Sequence, residues 1–259
     1  MSTITSRDNP RVRRWRELTR DARERRKQRR AMIEGANLIS AFLQSRKAVE
    51  NLILSKTGSS RTEFIAIAKQ TGKPPVVLAD SLFRSITDTE APAGIAAEIA
   101  LPASPSDLKA SAACVFLERI QDAGNVGAIL RSAAAFGIKD AVLGRGCADA
   151  WSPKVLRAAA GAHFSMRIAE NADLTVEIAR FGGTVICTVP RGGVAISAAD
   201  LSGRIGWIFG AEGRGVSDAL AARATLKVSI PMSGSAESLN VAAAAAICFY
   251  QSRLAGAGV

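Results

Sequence analysis

From residue 114 onward, short apolar runs of four to six residues alternate with stretches of helical periodicity, which leaves few architectures open. Strands are expected at Cys114 to Leu117, Asp140 to Leu143, Thr184 to Val189, Ile205 to Phe209 and Lys227 to Ile230. Helices are expected at Val126 to Phe136, Pro153 to Ala160, Leu174 to Arg180, Ser217 to Ala222 and Leu239 to Leu254. Parallel strands need a crossover, usually a helix, so this order predicts an α/β domain with a largely parallel sheet. The last helix is apolar almost all round (VAAAAAICFY) and should lie in the core or at a subunit interface.

The N-terminal stretch reads as a smaller α/β unit. Residues 9 to 45 suggest two helical stretches, with Asn9 as cap before Pro10 and Gly35 as a break. Strands follow at Asn51 to Ser55, Pro75 to Leu78 and Gly94 to Ile99, separated by helices over Arg61 to Gln70 and Asp80 to Ile86. Residues 101 to 113 (LPASPSDLKASAA) have a linker's composition. The expected division is therefore 1–100, a linker over 101–113, and 114–259.

Composition narrows the class. At 48% hydrophobic and 22% charged residues the chain is an ordinary globular protein, which excludes wholesale disorder and collagen. The longest unbroken apolar run, Val241 to Tyr250, has 10 residues and is too short to span a bilayer. The first residues carry charge with no apolar stretch behind them, so no secretory signal is expected and the setting reads as cytoplasmic. Cys114, Cys147, Cys187 and Cys248 form no CxxC pair, and His163 is the sole histidine, so neither a disulfide framework nor a metal site is expected. The cysteines read as small buried hydrophobes, and His163 as a packed or capping side chain.

Charge is unevenly distributed. Residues 1 to 30 contain 12 Lys or Arg and four acids, which gives +8 of the net +11. A concentrated arginine block offers forked donors to phosphates and favours a nucleic-acid partner. Arg11, Arg13, Arg14, Arg26 and Arg30 are the candidate RNA contacts. Trp15 alone among these arginines is no platform for stacking bases, and no DNA or membrane partner is expected.

Three clusters of glycines and polar residues follow strand candidates, where ligands bind in open α/β sheets. ERIQDAGNVGAILR, 118 to 131, leads into a helix that Asn125 could cap, with Arg131 about one and a half turns on. IFGAEGRGV, 208 to 216, places Glu212 and Arg214 among three glycines. IPMSGSAESLNV, 230 to 241, brings Ser238 and Asn240 to the mouth of the final helix. None matches GxGxxG or GxxxxGK[ST], which removes support for nicotinamide or nucleoside-triphosphate binding.

In this order the three segments resemble the SpoU/TrmH family of ribose 2′-O-methyltransferases in the SPOUT superfamily. Asn125, Gly127 and Arg131 match its first motif, GAEGRG at 210 to 215 its second, and residues 230 to 241 its third. More loosely, MIEGANLI at 32 to 39 and TDTEAPAGIAA at 87 to 97 resemble the family's N-terminal substrate-binding domain, itself similar to RNA-binding ribosomal proteins. The resemblance implies methyl transfer from S-adenosylmethionine to a ribose 2′-hydroxyl of rRNA or tRNA, by a homodimer with a deep trefoil knot in its C-terminal domain. It places the cofactor on Thr188, Val189, Gly210, Gly215, Ile230 and Leu239.

It also assigns activation of the hydroxyl to Arg131, with Asn125, Glu212, Ser238 and Asn240 orienting it and the ribose. A guanidinium stays protonated and is a poor base, which favours Arg131 as a holder of phosphate and developing alkoxide, with base action left open. The competing reading is a non-catalytic RNA-binding protein on the same fold. An oxidoreductase on an open sheet lacks its glycine fingerprint.

Overall fold

The computed structural model describes residues 3–103, 111–233 and 238–256. Its backbone contacts divide the chain into two compact units, 1–103 with 151–164, and 104–150 with 165–259.

In the first unit the chain runs β1 (Thr3–Ile4), α1 (Pro10–Arg20), α2 (Ala22–Gln28), β2 (Arg30–Glu34), α3 (Ala36–Gln44), β3 (Asn51–Ser55), α4 (Thr62–Thr71), β4 (Val76–Leu78), α5 (Asp80–Ser85) and β5 (Ile95–Ala100). The sheet order is β1-β4-β3-β5-β2, with β5 antiparallel to both neighbours. Asn9 caps α1, accepting from the Arg11 N–H at 3.0 Å, and Pro10 starts the first turn. Val12, Trp15, Leu18 and Thr19 form the buried stripe of α1.

One expectation fails here. Residues 9 to 45 hold three helices and a strand, because Ala31, Met32 and Ile33 of β2 are buried by antiparallel pairing with β5. Ala, Met and Glu are good helix formers, and the tertiary pairing overrides that preference. Trp15 is wholly buried, with its indole N–H donating to Glu98 at 2.8 Å, so it presents no surface to RNA. Glu98, itself 1% exposed, also accepts from Arg14 at 2.7 and 2.6 Å and from Asn51 at 2.7 Å. A buried carboxylate is tolerated because these donors replace its water.

Further along come β6 (Ala113–Leu117), α6 (Ala123–Ala135), β7 (Asp140–Gly144) and α7 (Pro153–Ala159), the last falling in the first unit rather than with the sequence around it. The second unit continues through β8 (Arg167–Ala172), α8 (Leu174–Phe181), β9 (Thr184–Thr188), β10 (Val194–Ala195), β11 (Ile205–Phe209), α9 (Asp218–Ala221), β12 (Leu226–Ser229) and α10 (Val241–Leu254). Its seven strands are all parallel, in the order β10-β12-β9-β11-β6-β7-β8. β6, β7 and β11 are buried along their whole length, as strands covered on both faces must be.

α10 packs against α6. Phe249 meets Phe209 edge-on at 5.6 Å, and Ser252 accepts from the Trp207 indole N–H at 3.0 Å. Its other side is open, with Tyr250 and Leu254 exposed. Cys114, Cys187 and Cys248 are buried and Cys147 half-buried, all as free thiols, and burial pushes all four thiol pKa values up. His163 is buried with its ring 5.1 Å from that of Trp151, a packed histidine in the first unit. Among the described residues no helix is long and apolar enough to cross a membrane.

Candidate active site

Parallel strands end on one edge of their sheet, and the second unit gathers its three motifs there. β12, β9, β11 and β6 are successive neighbours, so the ends of β9 (Thr188, Val189), β11 (Gly210), β12 (Ile230) and β6 (Glu118) lie side by side.

α6 opens two residues before Asn125. Its cap is Asp122, whose carboxylate accepts from the Asn125 N–H at 2.8 Å. The expectation that Asn125 caps this helix is therefore corrected: Asp122 fills that place, which frees the Asn125 amide for longer-range contacts. Asn125 Nδ2 donates to Glu212 Oε1, and Asn125 Oδ1 accepts from Asn240 Nδ2 at 3.0 Å.

Asn240 in turn caps α10, with Oδ1 accepting from the N–H groups of Ala242 at 2.9 Å and Ala243 at 3.3 Å. That cap leaves only its Nδ2 to reach Asn125, so the asparagine orientations follow in sequence and leave a donor facing the Glu212 carboxylate. One side chain from each motif thus joins a single relay. Leu239 lies outside α10, which starts at Val241 rather than Leu239.

Arg131 is exposed on α6 and has no hydrogen bond or ion pair among the described residues. Six residues along a helix turn it well away from Asn125. Ser238 is exposed and takes no part in the relay, while residues 234–237 of the third motif lie outside the described residues.

The second motif is a closed loop. Gly213 and Gly215 adopt φ of +80° and +67°, and the Gly215 N–H donates to Ala211 O at 2.8 Å. The returning chain passes directly over Gly210, where a Cβ would stand 2.0 Å from the Gly215 carbonyl oxygen. Only glycine fits beneath it.

Sequence reasoning missed Glu118. Its N–H donates to Phe209 O at 2.8 Å, and its nearly buried carboxylate accepts from the Ser217 N–H at 2.8 Å, clamping both ends of the loop. An acid at the end of a fully buried strand was the available signal.

For a nucleoside cofactor this edge offers the backbone groups of Thr188, Gly210, Ile230 and Leu239, with the half-buried Val189 and exposed Leu239 as apolar surface. Backbone donors and acceptors suit a neutral base and ribose, and Gly210 keeps the strand end open to close approach. The residues present fit such a group.

Of the candidate RNA contacts, Arg11, Arg13 and Arg26 are exposed. Arg11 donates to Asn51 Oδ1 at 2.6 Å and lies over the Trp15 ring at 5.1 Å. Arg14 is bound to Glu98, and Arg30 pairs with Glu50 at 2.5 Å. Across residues 1–30, Arg7, Arg20, Arg23, Lys27 and Arg29 are exposed as well.

Comparison with known proteins identifies the family. The SpoU rRNA Methylase family profile matches residues 112–250, and an MRM3-like substrate binding domain matches residues 9–97. The chain is 32% identical to the 23S rRNA (guanosine(2553)-2′-O)-methyltransferase RlmP of Bacillus subtilis, over 98% of this chain and 100% of that protein. It is 30% identical to a 23S rRNA (uridine(2479)-2′-O)-methyltransferase of Streptomyces viridochromogenes, over 96% and 90% of the two chains. An AdoMet-bound rRNA methyltransferase from Sinorhizobium meliloti superposes with a TM-score of 0.83 at 27% identity, covering 98% of this chain and 97% of that one. The chain belongs to the SpoU rRNA methylase family.

Proposed function

We propose that this protein transfers the methyl group of S-adenosylmethionine to a ribose 2′-hydroxyl of ribosomal RNA. The observation that carries the reading is the relay from Asn240 through Asn125 to Glu212, which joins all three motifs beside the Gly210 loop. S-adenosylmethionine supplies an already activated methyl group. The protein's task is to align the hydroxyl for in-line attack and to ease loss of its proton.

Thr188, Val189, Gly210, Gly215, Ile230 and Leu239 hold the cofactor, mainly through backbone groups. Arg131, exposed and unpaired among the described residues, binds the phosphate beside the reacting ribose and stabilises the alkoxide as it develops. The relay fixes Glu212 against the first turn of α6, and Ser238 completes the ribose-facing side. Arg13 and Arg26, whose side chains have no partner among the described residues, lead the contacts of the basic segment to the RNA backbone, joined by Arg11, Arg14 and Arg30 where their protein bonds leave donors over.

Two relatives named for 23S rRNA support an rRNA substrate, and because one modifies guanosine and the other uridine they do not identify the nucleotide. The exposed Tyr250 and Leu254 support a homodimer through the second unit, the interleaved strand order supports the family's knotted path, and an rRNA substrate supports a cytoplasmic setting.

The test is methyl transfer from labelled S-adenosylmethionine to unmodified rRNA, followed by digestion to nucleosides. A 2′-O-methylated nucleoside is expected. Arg131→Ala should abolish transfer with cofactor affinity nearly unchanged, and a base-methylated product would overturn the ribose chemistry.

A further inference from the structure

A cleft of about 500 Å³ opens on the first unit, walled by the end of β2, the first turn of α4 and helix α7. It uses none of the methyl-transfer residues. One wall carries a flat cation: the Arg61 guanidinium lies over the buried Phe64 ring, 4.2 Å from its centroid, while about half of the side chain stays exposed. A planar guanidinium backed by an aromatic ring is a platform on which a nucleobase can stack.

Two further residues of the wall each keep a polar atom unused. Glu34 accepts through Oε1 from the Thr89 hydroxyl at 2.9 Å and the Ala93 N–H at 3.2 Å, and its Oε2 is buried with no hydrogen-bond partner among the described residues. Arg157 donates through Nη2 to Asp88 at 3.1 Å, and its Nη1 is buried and equally unpartnered. An orphaned acceptor and an orphaned donor beside one cleft carry desolvation costs that a suitable ligand offsets.

Charge selects the ligand. Arg61 and Arg157 are matched in the lining by Glu34 and Glu63, so a bare phosphate gains little there. A neutral ring with donors on one edge and acceptors on another uses both orphaned atoms once side-chain rotation turns them from their buried positions to the cleft. Guanine is such a ring: its N1–H and amine suit a carboxylate, and its O6 and N7 accept from a guanidinium. Adenine and cytosine place an acceptor beside their amine, which a carboxylate repels. Resting on the reading of this chain as acting on RNA, we infer that the cleft takes one unstacked guanine of the substrate, stacked on Arg61 and read by Glu34 and Arg157.

The experiment titrates the full chain, saturated with S-adenosylmethionine, with the 5′-monophosphates of guanosine, adenosine, cytidine and uridine, followed by ligand-observed NMR. Guanosine monophosphate should bind about tenfold more tightly than the others. Glu34→Gln, which replaces an acceptor with a donor, should remove that margin. Arg61→Ala should weaken all four, with folding and cofactor affinity unchanged in both variants. Equal binding of the four nucleotides, or a guanosine preference that survives Glu34→Gln, overturns the inference. Methyl transfer is assayed on the same samples: lost discrimination with transfer intact refutes the guanine cleft alone, and absent transfer with discrimination intact refutes the methyltransferase reading alone.

Discussion

Replacing Gly210 with alanine tests how tightly the second motif is closed. The added Cβ would lie 2.0 Å from the Gly215 oxygen, 2.1 Å from its carbonyl carbon and 2.3 Å from the Val216 nitrogen. All three are backbone atoms, so no side-chain rotation relieves the clash. The returning chain must move by about 1.5 Å to reach van der Waals separation. That shift stretches the 2.8 Å bond from the Gly215 N–H to Ala211 and the 2.8 Å bond from the Ser217 N–H to Glu118. Losing the first costs roughly 1 kcal/mol, and leaving the Glu118 carboxylate short of a donor adds roughly 1–3 kcal/mol.

The sum, about 3 kcal/mol, corresponds to a fall in melting temperature of about 6–12 °C for a chain of this size. If the loop opens instead of straining, the loss moves to the cofactor, because the end of β11 no longer presents its backbone. Differential scanning fluorimetry with and without S-adenosylmethionine, paired with calorimetric titration, reads both channels. A variant that melts within about one degree of the parent and binds cofactor within about twofold would refute the reasoning.

Other outcomes follow from the same contacts. Asn240→Ala removes the cap of α10 and the relay together, so it should cost about 1 kcal/mol in urea unfolding and lower the turnover number far more than it raises the KM for the cofactor. Glu98→Ala should destabilise by about 3 kcal/mol, the low end for a broken buried pair because Arg14 keeps access to water, whereas Arg13→Ala and Arg26→Ala should each leave stability unchanged and lower the salt slope of RNA binding by about one. Burial raises the thiols of Cys114, Cys187 and Cys248 in the folded state. The unfolded thiols ionise first, so stability holds below about pH 8.5 and falls as pH rises beyond it. Melting curves from neutral to alkaline pH check this, and Cys187→Ala with Cys248→Ala should flatten the alkaline limb.

The buried strands of the second unit were legible because continuous apolar runs leave no other use for those residues. β6, β7, β9, β11 and β12 all fall within about a residue of their expected positions. β8 was not legible: RIAENA buries only Ile168 fully, and an edge strand with one covered side chain has no apolar signature. β2 was hidden by its own helix-forming residues.

At the site, the participants and their order could be read from the residues, since Asn125, Glu212 and Asn240 stand in short glycine-rich or polar segments that each follow a strand. Which of them touch is settled by folding. Asp122 takes the helix cap and releases Asn125, Asn240 spends its oxygen on α10 and turns its nitrogen inward, and Glu118 closes a loop 99 residues away. In the basic segment, likewise, charge density was plain from the residues, but burial assigned Arg14 and Trp15 to Glu98 and left Arg13 and Arg26 for solvent. A one-dimensional pattern records which groups are present. Desolvation in the folded state decides which of them must find a protein partner and which stay free for RNA.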